Sequence, residues 1–177
     1  MRRITYLVVA AAMLAAIMSA PATAEVDRIP VTGTAYQTGV VFDLGVLWVT
    51  GNVQHLRDRS FEIRVDGTGT DGNQYVDGYL IFDSFHNNIN CLTGIGNAWG
   101  EFTWISDLDE DSGWLGTSTG DYSGFVCGWP PNLDFESTSR LVATGFGQFE
   151  GLQLRFEDVY NGDFPVRYGE GYVKVLP

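Results

Sequence analysis

Helical periodicity is what this chain of 177 residues most lacks. After Glu25 no window of eleven residues keeps an apolar stripe at helical spacing, which argues against bundles and α/β layers. Positive charge is scarce as well: ten Lys and Arg stand against 22 Asp and Glu, a net charge of −12. Nucleic acid, which is held by cations that neutralise phosphates, is therefore not an expected partner, and neither is an anionic lipid surface. Histidine is limited to His55 and His86 and cysteine to Cys91 and Cys127. If the two thiols pair, a tetrahedral zinc site would have to recruit carboxylates for which no ligand spacing exists. No metal and no cofactor is expected. Beyond the N-terminus there is no long apolar run and no anchor in Tyr172 to Pro177, so membrane insertion is not expected either.

The one long apolar run lies at the start. Arg2 and Arg3 precede Ile4 to Met18, interrupted only by Thr5, and Ala22-Thr23-Ala24 follows. A charged start, a short apolar stretch and an A-x-A exit are the pattern of a secretory signal peptide, too short to span a membrane. Residues 1–24 are read as that leader, cleaved near Ala24, and residues 25–177 as a single secreted or periplasmic domain. Loss of two arginines leaves eight basic residues against 22 acidic ones, a net charge of −14 that suits solubility. In an oxidising compartment Cys91 and Cys127 are expected to form one disulfide.

What fills the remainder is short alternation broken by turns, with 22 glycines. Phe61, Ile63 and Val65 alternate with polar residues before Asp66-Gly67; Leu152, Leu154 and Phe156 do so before Asn161-Gly162. Strands are expected near 31–36, 41–50, 60–66, 76–85, 97–105, 113–122, 138–145, 150–159 and 171–176, and a single helical turn over Gln54 to Arg59. The fold class is all-β, an antiparallel barrel of about eight strands, with a β-sandwich as the alternative. The polar segment Ser106 to Ser112 joins two alternating runs. It should set Trp104 opposite Trp114, Phe102 opposite Gly116, Gly100 opposite Ser118 and Ala98 opposite Gly120, with Glu101, Thr103, Thr117 and Thr119 facing solvent. Thr93 to Gly100 and Thr144 to Gly151 share T-G-x-G-x-x-x-G. No helix follows either copy to hold a phosphate, so the glycines are read as corners of a curling sheet.

Two patterns that suggest chemistry fail on context. Gly116 to Gly120 matches G-x-S-x-G, but it lies inside a strand, not at a strand-to-helix turn. Asp107 to Gly113 alternates carboxylates like a calcium loop, yet Ser112 and Ser118 stand where glycine and glutamate are required. With five tryptophans, sugar stacking is a further option, with Trp99 and Trp129 as the exposed platforms.

The run Gly145-Phe146-Gly147-Gln148-Phe149-Glu150-Gly151-Leu152 resembles the G-x-G-x-F-x-G segment of the allene oxide cyclase and dirigent type of calycin-like barrel. Trp114-x-Gly116 and Gly171-Tyr172-Val173 are similar to secreted bacterial proteins of that style, although Leu154 stands where the family has its next glycine. The resemblance implies an eight-stranded antiparallel barrel around an apolar cavity, in a family that cyclises or couples hydrophobic molecules mainly by confining them. It carries over no catalytic residue. The leading expectation is a barrel that binds a small hydrophobic ligand. Phe102, Trp104, Trp114, Tyr122 and Trp48 would form its aromatic lining, and His55, Arg57 and His86 the polar groups at an opening. A cyclase or isomerase acting by confinement, and a surface or glycan-interaction module, are the alternatives. No motif specifies an oligomeric state.

Overall fold

The computed structural model describes residues 27–127, 135–162 and 166–176. The leader assigned to residues 1–24 and the platform assigned to Trp129 lie outside them.

Nine strands follow in chain order: β1 (Arg28–Asp43), β2 (Val46–Thr50), β3 (Val53–Gly69), β4 (Gly78–Asn90), β5 (Gly96–Ser106), β6 (Asp109–Ser123), β7 (Glu136–Phe146), β8 (Leu152–Asn161) and β9 (Val166–Val175). Every pairing is antiparallel, and β1 pairs with both β9 and β3, which closes eight strands into a barrel. The sandwich alternative falls with that closure. β2 is the ninth strand, which continues the course of β1 along the same edge of β3 beyond the eight-strand ring.

The β5–β6 hairpin has the register that its alternation predicts: Trp104 faces Trp114, Phe102 faces Gly116, Gly100 faces Ser118 and Ala98 faces Gly120. Phe102, Trp104 and Trp114 are buried, while Glu101, Thr117 and Thr119 are exposed. Two expectations are corrected. Gln54 to Arg59 is not a helical turn but part of β3, broken by a bulge at which Asp58 takes φ 55°. The strands expected at 31–36 and 41–50 are divided elsewhere: β1 runs on to Asp43, and the break falls at Leu44-Gly45.

The barrel is plugged at one end. There the segment after β3 brings Tyr75 and Val76 under the sheet, and a 3-10 turn at Gly147–Phe149 brings Phe149 beneath Trp114. The Trp114 and Phe149 rings stack 5.0 Å apart, and Trp114 Nε1 donates to the Tyr75 carbonyl at 2.7 Å. Burying an indole whose N–H is satisfied keeps the large apolar gain without an orphan donor. Gly147 permits this turn: its φ is +62°, and a β-carbon there would strike Ser112. The second T-G-x-G copy thus acts as a corner, as expected. At the opposite rim the Cys91–Cys127 disulfide, with Cα atoms 5.3 Å apart, ties the end of β4 to the chain leaving β6.

Candidate functional site

Above the plug the interior is not filled. A cavity of about 210 Å³ extends toward the rim formed by the ends of β1, β6 and β8 and the starts of β3, β7 and β9. Its apolar wall comes from inward residues of six strands, among them Phe61, Leu80, Phe82, Trp104, Leu141 and Phe156. Phe61 stacks on Phe82 at 4.9 Å, and Phe156 meets Trp104 edge-on at 6.0 Å. Gly169, which pairs with Asp158 on the neighbouring strand, makes room for the Phe156 ring, since a β-carbon there would collide with it.

One part of the wall is polar. Asp158 is buried and pairs with Arg167 Nε, while Arg167 Nη2 donates to Ser139 Oγ at 2.9 Å. Burial pushes the Asp158 carboxyl above the usual carboxylate range even against the pull of Arg167. Burial likewise raises the Tyr122 phenol, which lies within the fields of Arg59, Arg167 and Asp158. Arg59, half-buried, is pulled below the usual guanidinium range by desolvation. No carboxylate pairs with it among the described residues. Three atoms of cavity-lining residues are buried without a hydrogen-bond partner: Arg59 Nε, Trp104 Nε1 and Asn87 Oδ1. Most buried polar groups in folded proteins are paired, so three orphans around one void mark it out.

The expected site residues divide into three groups. Trp104 and Tyr122 line the cavity. Phe102 is 2% exposed within the packed core, and Trp114 belongs to the plug beneath. Trp48, His55, Arg57 and His86 come together, but on the outer wall, turned away from the cavity. Trp48 stacks on His55 at 5.0 Å, and the Arg57 guanidinium lies 5.4 Å from the Trp48 ring and 4.8 Å from that of Trp99. His86 sits 5.4 Å from Trp99, and His55 Nδ1 is 2.7 Å from Asn88 Oδ1. A shallow outer groove runs past His86 and Trp99 toward Glu101, Thr117 and Thr119. Trp99 is half-buried there, with Arg57 above its ring.

The polar lining, Arg59, Asp158 and Arg167, is absent from the expected set. The signal for two of these residues was present. Arg59 shares parity with Phe61, Ile63 and Val65, and Asp158 shares it with Leu154 and Phe156. Comparison of the chain with protein-family models, curated proteins and solved structures gave no match, so the site is read from its own geometry.

Proposed function

We propose that the barrel binds a small, largely apolar molecule in its interior and that the molecule carries one acidic or acceptor head group. The observation behind this reading is the pair of unpartnered buried donors, Arg59 Nε and Trp104 Nε1, beside a largely apolar cavity. A buried donor without a partner costs about 1–3 kcal/mol, which an accepting ligand atom would relieve. Because Arg167 is already engaged by Asp158, Arg59 is the cation left to meet a carboxylate. Size supports a compact ligand: a cavity of ~150 Å³ takes up benzene, so one of about 210 Å³ suits a bicyclic body or a chain of roughly eight to ten carbons. The protein would act outside the cytoplasm, after removal of its leader near Ala24. The disulfide is in keeping with that compartment, and no helix among the described residues is long and apolar enough to cross a membrane.

Calorimetric titration with decanoate and 1-decanol tests the reading. One decanoate per chain is expected, with Arg59→Met weakening decanoate at least tenfold and leaving decanol nearly unchanged. Absence of binding by both, together with an empty organic extract of the purified protein, would remove the ligand reading.

One observation favours a second reading, catalysis by confinement. Asp158, its carboxyl raised by burial, faces the same cavity as the Tyr122 phenol and could exchange a proton with a bound substrate. Incubation of the extracted ligand with wild-type protein and with Asp158→Asn tests it: only the wild type should convert the ligand to an isomer of the same mass.

A further inference from the structure

The segment from Val40 to Val49 is the least protected apolar stretch of the fold. Val40, Val41, Phe42, Leu44, Val46, Leu47, Trp48 and Val49 are between 39% and 68% exposed. Leu47 lies opposite Leu56 and Val49 opposite Gln54, so these two project to the cavity side of the sheet. Val46 and Trp48 project to the outer side with Arg57 and His55. Both faces of β2 are therefore apolar and exposed, which no solvated edge strand requires.

Its edge is open too. Among the described residues β2 pairs with β3 alone, leaving a row of backbone N–H and C=O groups without a strand partner. Sheet proteins ordinarily blunt such an edge with charge or proline, and β2 has neither. Asp43 is the only charged residue from Thr38 to Asn52, and it is engaged locally, accepting the Gly45 N–H at 2.8 Å.

We propose that β2 is a self-association edge, on which a second copy of this chain pairs antiparallel about a two-fold axis near Trp48. An antiparallel edge is complementary to itself, so Val46 would face Thr50 of the other copy and Leu47 would face Val49. Charge favours self-pairing at this place. In a chain of net charge −12 most of the surface repels its copy, and this hairpin is the exception. Area is in keeping: eight side chains at these exposures present on the order of 800 Å², one partner's share of a standard interface. The inference does not depend on the ligand reading.

Sedimentation of the purified protein from micromolar to hundreds of micromolar is the test. The wild type is expected to move from monomer to twice that mass. Leu47→Lys and Val49→Lys should each raise the dissociation constant by roughly tenfold or more. Leu115→Lys, at a 55% exposed apolar position on the outer wall of β6, should leave it unchanged. A measurement without substitution guards against misfolding: amide exchange over Val46–Thr50 should slow as concentration rises. A wild type that stays monomeric overturns the proposal, as does a dimer insensitive to Leu47→Lys and Val49→Lys. So does a monomer that co-sediments with phosphatidylcholine vesicles, which would assign the hairpin to lipid.

Discussion

Replacing Arg167 with methionine removes the one ion partner of Asp158 among the described residues. The carboxylate side chain is 12% exposed, and Tyr122 and Glu157 are the other titratable groups within its field. Where Asp158 is ionised the variant holds an uncompensated charge inside the barrel, a loss of about 3–5 kcal/mol. In acid the carboxyl takes up a proton, and the loss shrinks to the hydrogen bonds to Asp158 and Ser139, about 1–3 kcal/mol. The sign follows from proton linkage. Burial raises the folded Asp158 above its unfolded value, so the native state binds more protons in the interval between the two. Stability is fully present below the unfolded value and falls as pH rises through the folded one. Without Arg167 that interval widens, with a slope limited to about 1.4 kcal/mol per pH unit for one proton. Asp66 and Asp71, held below the usual range in the fold, act in the opposite sense, but equally in both proteins. Urea unfolding of wild type and Arg167→Met at about pH 4 and pH 8 should show a gap that opens toward pH 8. Adding Asp158→Asn should flatten the gap. A gap of constant size, or one wider in acid, would refute the reasoning.

Trp114→Ala removes the stacked cap of the plugged end and should cost about 3–5 kcal/mol in urea unfolding; a loss below 1 kcal/mol would mean the plug is not packed. Gly147→Ala forces a side chain onto a left-handed position against Ser112 and should destabilise by more than about 1 kcal/mol by the same measurement. Reduction of Cys91–Cys127, which spans 36 residues, should lower stability by about 3–4 kcal/mol without changing the strand content seen by circular dichroism.

The β5–β6 hairpin was legible because a short polar connection separated two clean alternations, and side-chain period then dictated every opposite pair from Trp104–Trp114 to Ala98–Gly120. The outward turn of Arg57, His55 and His86 was not, because two bulges intervene. Counting back from Phe61 by twos would put Arg59, Arg57 and His55 inside. The extra residue at Asp58 resets the phase, so Leu56 and Gln54 point in instead. A second bulge between Phe82 and Ser84 does the same to β4, where Phe85 and Asn87 take the interior and His86 the exterior. The Asp58 N–H donates to His86 Nδ1 at 3.2 Å, so the two irregularities support each other across the strand pair. Nothing local in the sequence announces a left-handed aspartate. Barrel closure depended on β1 pairing with β3 and β9 at once, a long-range match that alternation alone does not encode.

Methyl NMR during titration with decanoate addresses the central claim directly, because it separates inside from outside. The account predicts shifts at Leu56, Ile63, Leu80 and Leu141, which line the cavity, while Leu92 and Leu115 on the exterior stay fixed. Shifts confined to the exterior methyls, or none at all at saturating decanoate, would contradict it.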